Sequence, residues 1–219
     1  ISGGGAAGSL AVKRSHVSDE CFRAGADVAL ESPVKVGRVL LALATDSETL
    51  ARDVAGTRRA PTEAERAAAL KLAGEVMRRK GATAAAVKTL ESINLTAADL
   101  DADGRAELVG SFRTRQGKAT RQLLFLIAEP RQDGAYKAAL AKFERVAAAD
   151  MMDPSMIDEV GNGGFLAEIL VDYADLDGDR VAEVVSTASS FEGQGYYIYK
   201  RAGGSWTKVY EGSNYRCAY

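Results

Sequence analysis

Residues Ala98–Val109 read ADLDADGRAELV, and residues Ala174–Val185 read ADLDGDRVAEVV. The two stretches align without a gap at an offset of 76 residues, and ten of the twenty positions in Leu90–Val109 are identical in Leu166–Val185. Chance does not produce such agreement over twenty positions. The sequence therefore indicates that one supersecondary unit occurs twice in the chain.

Both copies predict the same order of elements. An apolar stretch that reads as a strand precedes each acidic segment, and a second and a third strand follow it. These strands are predicted at Glu107–Phe112 and Arg121–Ala128 in copy one, and at Glu183–Ser189 and Tyr196–Lys200 in copy two. Copy two adds one more strand after Gly203-Gly204, which is a suitable two-residue hairpin turn.

The acidic segments, loop one (Asp99–Glu107) and loop two (Asp175–Glu183), have the composition of a calcium loop. Calcium takes about six to eight oxygen ligands, and closely spaced carboxylates repel one another without a cation. Positions 1, 3, 5 and 9 of each loop offer a carboxylate, and position 7 offers a backbone carbonyl. The predicted metal ligands are Asp99, Asp101, Asp103, Arg105 and Glu107 in loop one, and Asp175, Asp177, Asp179, Val181 and Glu183 in loop two.

Other interpretations of the loops stay open. An EF-hand is excluded, because its last Glu stands at position 12 of the loop. A turn between strands whose Asp side chains accept hydrogen bonds from nearby amides needs no metal. The two loops also differ at position 6, where loop one has Gly104 and loop two has Arg180. Glycine adopts a positive φ at little cost, so we expect loop two to bind a cation more weakly.

The pattern Asp-x-Asp-x-Asp-Gly-x-x-Glu, followed by an apolar strand, resembles the calcium loops of FG-GAP and VCBS-type repeats. Loop one matches this pattern closely, whereas loop two departs from it at Arg180. The resemblance covers about residues 86–128 and 162–212 and implies calcium as the ligand, in a family that occurs in β-propellers and in secreted bacterial proteins. Because a propeller needs at least four blades, two copies predict a smaller fold.

Helices are predicted outside the two copies. Thr62 and Glu65 form a capping-box pattern at the start of a helix over 62–80, and Gly81 is a suitable stop. A second helix is predicted over 134–149, because Tyr136, Leu140, Phe143 and Val146 recur at helical spacing.

The resulting fold class is α+β, with duplicated antiparallel units of the strand–acidic loop–strand type and two or three amphipathic helices. The predicted domain organisation is an N-terminal segment, 1–85, that contains helix 62–80, followed by a duplicated β region, 86–219. Within that region, the copies 86–128 and 162–212 are joined by the predicted helix 134–149.

Composition and charge argue against some classes of function. The 219 residues carry 28 basic and 30 acidic side chains, a net charge of −2, which does not suit a strongly basic nucleic-acid binder. The apolar runs Val39–Ala44 and Leu123–Ala128 are far shorter than the ~20 residues of a membrane span. In a secreted protein Cys21 and Cys217 would form a disulfide, and two free thiols are the alternative.

The sequence contains no clear catalytic constellation. Its single histidine, His16, lies in a polar stretch and is expected to be a surface residue and not the base of a catalytic triad. We therefore expect a non-enzymatic, calcium-binding and calcium-stabilised domain, secreted or periplasmic, that binds or adheres to a protein or carbohydrate partner. The alternatives are a metal-dependent enzyme, or the accessory domain of one, that uses the acidic loops, and a structural protein whose loops hold no metal.

Overall fold

The computed structural model describes residues 8–16, 25–31, 42–47, 58–116, 120–147, 167–190 and 193–215. Cys21 and Cys217 lie outside these residues, so their disulfide stays a prediction. Within the described ranges, neither helix has the length and apolar character that crossing a bilayer would require.

Two four-stranded antiparallel sheets form the centre of the described structure. The first sheet has the order β3-β4-β5-β6, with strands Glu91–Ala98, Glu107–Gln116, Thr120–Pro130 and Tyr136–Ala147. The second sheet contains β7 to β10, with strands Glu168–Ala174, Glu183–Ser189, Gly193–Ala202 and Ser205–Tyr215. Each sheet is a meander, in which strands that are consecutive in sequence pair with one another.

The remaining described elements precede these sheets in the chain. Strands β1 (Ser9–His16) and β2 (Gly25–Glu31) pair with each other in a two-stranded sheet. Helix α1 (Glu63–Arg79) and the four-residue helix α2 (Ala84–Val87) follow. The described ranges therefore contain two helices, and the sequence predicted two or three.

Helix α1 begins and ends where its capping residues predict. The Thr62 hydroxyl accepts a hydrogen bond from the N–H of Glu65 at 3.2 Å, and the Glu65 carboxylate accepts one from the N–H of Thr62 at 2.7 Å. This reciprocal pair is the predicted capping box. Gly81 follows the helix with a φ of +90°. The buried residues of α1 that pack on the first sheet include Leu72, Ala73, Val76 and Met77.

The first sheet is covered on both faces, which gives three layers. Side chains alternate between the two faces of a strand, so Leu108 of β4 packs in the cluster that contains α1, and its neighbour Val109 packs in the cluster that contains the second sheet. Between the sheets, the rings of Phe125 and Tyr199 stack with their centroids 5.7 Å apart. The acidic loops lie at the ends of this packed core.

The prediction of a helix over 134–149 is wrong, because Tyr136–Ala147 forms strand β6 and pairs with β5. A β-bulge at Ala139 shifts the alternation of the strand by one residue. Tyr136 and Phe143 consequently pack with the α1 cluster, whereas Leu140 packs with the second sheet. The bulge, together with apolar residues on both faces, produced a spacing that resembles one face of a helix.

The strands around the acidic loops lie where the sequence predicted them. Loop one joins β3 to β4, and loop two joins β7 to β8. A two-residue turn, Gly203-Gly204, joins β9 to β10, and both glycines have positive φ. The antiparallel, β-rich α+β class is therefore confirmed, while a common origin of the two sheets stays a prediction.

Candidate metal sites

Loop one is shaped by hydrogen bonds from its own backbone to its carboxylates. Asp99 accepts hydrogen bonds from the N–H groups of Asp103, at 3.1 Å, and Gly104, at 2.9 Å. Glu107 accepts one from the N–H of Leu100 at 2.7 Å. The carboxylates at positions 1 and 9 are thereby pulled toward the inside of the curled chain.

Loop two repeats this arrangement position by position. Asp175 accepts hydrogen bonds from the N–H groups of Asp179, at 3.1 Å, and Arg180, at 2.9 Å. Glu183 accepts one from the N–H of Leu176 at 2.7 Å. The two loops therefore share these three hydrogen bonds as well as the same acidic positions, and in loop two Asp175 accepts one more, from the N–H of Gly178 at 2.8 Å.

In each loop, the carboxylates at positions 1, 3 and 9 converge. Each member of a cluster offers an oxygen that lies within 4.8 Å of the oxygens offered by the others. The clusters are Asp99, Asp101 and Glu107 in loop one, and Asp175, Asp177 and Glu183 in loop two. Six of the ten residues predicted as ligands are thus brought together in two groups of three.

The residues predicted as ligands at positions 5 and 7 contact each other. The carboxylate at position 5 accepts a hydrogen bond from the backbone N–H at position 7. Asp103 accepts a hydrogen bond from the N–H of Arg105 at 2.8 Å and forms a salt bridge with its guanidinium at 2.7 Å. In loop two, Asp179 accepts a hydrogen bond from the N–H of Val181 at 2.9 Å. Because of these contacts, Asp103 and Asp179 shape the turn whether or not a cation is bound.

Burial works against ionisation of the position 9 carboxylates. Glu107 is 3% exposed, and its burial, reinforced by the negative charge of Asp101, raises its pKa from 4.5 to about 7. Burial likewise raises the pKa of Glu183, with Asp177 adding to the effect. The pKa of Asp101 is raised by its own burial and by the charge of Asp103. A cation inside either loop would relieve this cost.

One buried oxygen of Asp101 lacks a hydrogen-bond partner in the part of the chain that the structure describes, which indicates that loop one suits a metal ion. Its Oδ1 is buried and has no hydrogen-bond partner among the described residues, whereas its Oδ2 contacts Nη1 of Arg201 at 3.1 Å. A buried polar atom without a partner costs about 1–3 kcal/mol, and a metal ion would satisfy it. The all-oxygen donor set suits calcium, magnesium or manganese, so the residues fit a hard divalent cation without selecting calcium.

Two basic residues that were not predicted as part of the sites lie beside the loops. Lys200 of β9 contacts loop two through Asp177 and through Asp179, the latter at 2.7 Å. The next residue, Arg201, points to the opposite face of the strand and contacts Asp101 of loop one at 3.1 Å. Sequence patterns did not reveal these residues, because nothing local shows which loops a strand will face.

Arg201 also belongs to a partly buried polar group between the sheets. Its Nε lies 2.8 Å from Glu129, which accepts a hydrogen bond from the Trp206 indole at 3.0 Å. Lys137 contacts the other oxygen of Glu129 at 3.0 Å. Loop one is therefore connected through Arg201 to the ends of β5 and β10.

The backbone conformation removes the strain argument for weaker cation binding at loop two, and the difference itself stays a prediction. Arg180, at position 6 of loop two, has a φ of +71°, as the sequence suggested. Position 4 is also left-handed in both loops, and there loop one has Ala102, with a φ of +56°, while loop two has Gly178. Each loop thus holds one non-glycine residue at a positive φ, so backbone strain does not rank loop one above loop two.

A cleft of about 470 Å³ lies apart from the acidic loops, between β6 and the second sheet. In its wall, Lys142 contacts the buried carboxylate of Glu168 at 2.9 Å and lies 4.4 Å from the centre of the Tyr197 ring. Lys142 also lies 3.3 Å from Glu144, so both carboxylates of the wall already have a basic partner. The acidic loops are the stronger candidate sites, because three carboxylates converge in each and loop one holds the unpartnered oxygen of Asp101.

Comparisons with protein-family models, with curated proteins and with solved structures found no match to this chain. The acidic loops are therefore candidate metal sites because of their own geometry. Three carboxylates converge in each loop, and loop one also has the unpartnered oxygen of Asp101. The raised pKa of the buried Glu107 supports the same conclusion.

Proposed function

We propose that this protein is a non-enzymatic, β-rich domain that divalent cations, calcium in the first place, stabilise by binding in loops one and two. The observation that carries the proposal is the convergence of three carboxylates in each loop around a glutamate that is only 3% exposed. Carboxylates that converge around a buried glutamate are costly to ionise together, and a bound cation would remove this cost.

Cation binding would stabilise the fold because the loops exist only in the folded chain. Each loop connects the first two strands of a four-stranded sheet, so the cation would hold both strand ends together. A ligand that binds only the folded state at 100 times its dissociation constant adds about 2.7 kcal/mol to the free energy of unfolding.

Thermal unfolding in calcium, in magnesium and in a chelator tests this function. We expect the melting temperature to rise with millimolar calcium and to fall in chelator. Asp101→Asn and Asp177→Asn should each remove part of the calcium effect. Asp133→Asn is the matched control, because Asp133 also accepts a backbone hydrogen bond, from Ala135 at 3.1 Å, but lies in the turn between β5 and β6. Identical melting curves in calcium and in chelator would reject the proposal.

A metal-free role for the loops is the second candidate, and Lys200 and Arg201 favour it. These side chains already place positive charge beside each acidic cluster. In this role Arg201 ties loop one to the second sheet, Lys200 ties loop two to strand β9 of its own sheet, and calcium has no effect on stability. Arg201→Met would then lower the melting temperature equally in calcium and in chelator, whereas calcium would offset part of this loss if loop one binds the ion.

The enzyme alternative requires a different distance between the two bound metal ions. Two-metal hydrolysis requires ions about 3.5–4 Å apart, so anomalous diffraction from crystals soaked in manganese would distinguish the two functions. A longer distance between the bound ions favours stabilisation.

The same proposal includes three further points. They are kinship with FG-GAP and VCBS-type repeats, a secreted or periplasmic location, and a protein or carbohydrate partner. The loop pattern supports the first of these, and a Cys21–Cys217 disulfide in the protein isolated without reductant would support the second. Mass spectrometry of the unreduced protein detects that bond as a loss of two hydrogens.

A further inference from the structure

A main-chain hydrogen bond joins the two loops directly. The N–H of Ala182, at position 8 of loop two, donates to the carbonyl of Leu100, at position 2 of loop one, at 2.7 Å. Ala182 is 0% exposed and Leu100 is 1% exposed. Water therefore does not compete for this hydrogen bond, and breaking it would leave buried polar groups unpaired.

The hydrogen bond lies on a short path between the two acidic clusters. Leu100 donates its own N–H to Glu107, the position 9 carboxylate of loop one, at 2.7 Å. Ala182 directly precedes Glu183, the position 9 carboxylate of loop two, in the chain. A movement of Glu107 would shift Leu100, and Leu100 holds the residue next to Glu183.

Strand β9 provides a second, independent connection. Lys200 contacts Asp179 of loop two at 2.7 Å, and Arg201 contacts Asp101 of loop one at 3.1 Å. The two residues are consecutive on one strand, so a displacement of β9 changes the charge beside both loops.

We propose that loops one and two form a single coupled unit, in which a change of charge or order at either loop is transmitted to the other through Leu100 and Ala182. The coupling belongs to the metal-free protein. Its consequence for cation binding rests on the proposed function, and there the two loops would bind cooperatively. Coupling between sites typically changes affinity about 5- to 150-fold.

Amide hydrogen exchange on the full chain in chelator tests the coupling without any ligand. In Glu107→Ala, which removes the acceptor of the Leu100 N–H, we expect the Ala182 amide, which lies in the other loop, to exchange at least about fivefold faster than in the wild type. In the Asp133→Asn control, Ala182 should exchange at the wild-type rate. Faster exchange of Leu100 with no change at Ala182 would overturn the proposal.

A milder variant keeps the test decisive if Glu107→Ala does not fold. Asp103 is exposed, and Asp103→Asn weakens its contacts with Arg105 while leaving the buried residues of loop one in place. The same acceleration of Ala182 exchange is expected, in smaller measure. A change confined to loop one would count against the coupling.

Calcium titration of Asp101→Asn, followed by nuclear magnetic resonance at loop two, separates this proposal from the proposed function. If the loops are coupled, loop two of the variant binds calcium at least about fivefold more weakly than loop two of the wild type. Unchanged affinity at loop two would overturn the coupling. Absence of calcium binding at both wild-type loops would reject the proposed function, and the exchange experiment would then decide the coupling alone.

Discussion

Replacing Glu107 by glutamine tests whether a buried carboxylate lowers the stability of the metal-free protein. Glu107 is 3% exposed, and burial raises its pKa from 4.5 to about 7, with Asp101 adding to the rise and the N–H of Leu100 opposing it. A carboxyl group whose pKa is higher in the folded state takes up protons on folding. Its favourable contribution is therefore complete below about pH 4.5 and is lost as the pH rises through about 7.

The size of this loss follows from the two pKa values. The interval from 4.5 to about 7, at about 1.36 kcal/mol for each pKa unit, corresponds to about 3 kcal/mol of the free energy of unfolding. Glutamine has nearly the same shape and can still accept the hydrogen bond of Leu100, but it does not ionise. Above pH 7 in chelator, Glu107→Gln should therefore be more stable than the wild type by up to about 3 kcal/mol.

Urea unfolding between pH 4 and 8 in chelator measures this effect, with Asp133→Asn as the control. The wild type and the control should lose stability as the pH rises, whereas the profile of Glu107→Gln should be flatter. Calcium at high pH should restore stability to the wild type and have a smaller effect on Glu107→Gln. Parallel pH profiles for the wild type and Glu107→Gln would refute the view that the buried charge is costly.

Other substitutions test the loops, the helix cap and the core. Ala102→Gly and Arg180→Gly should each raise the free energy of unfolding by up to about 1 kcal/mol in urea, because each removes a side chain from a left-handed position. No gain in either would contradict the proposed strain. Lys200→Met should tighten cation binding at loop two in calorimetric titration, because the competing charge is gone, and an unchanged affinity would count against this competition. Thr62→Ala should lower the free energy of unfolding by about 1 kcal/mol through loss of the cap. Phe112→Ala should lower it by about 3–5 kcal/mol, because Phe112 is fully buried.

Several parts of the fold could be predicted because their signals are local. The capping box of α1 depends on Thr62 and Glu65, which are three residues apart. The strands on either side of each acidic loop were predicted from runs of a few apolar residues, and both loops follow from a repeat that is visible without a structure. The sequence could not show that β6 is a strand, because its bulge at Ala139 mixes the period of a strand with that of a helix.

Some features of the candidate sites could be predicted from local sequence, and others could not. The carboxylates of each loop lie within nine residues, so their convergence was predictable, as was the positive φ of Arg180. The positive φ of Ala102 was not predicted, because alanine carries no turn signal, and only the hydrogen bonds of the loop impose that conformation.

By itself, the sequence determined the acidic positions, the strands beside them and the capped helix, since each depends on neighbours in the chain. Only the tertiary structure decided which charges oppose the acidic clusters and whether the loops touch. Arg201 meets Asp101 across 100 residues of chain, and Ala182 meets Leu100, because the second sheet packs on the first. Packing of the apolar faces chooses these partners, and no local pattern of residues encodes that choice.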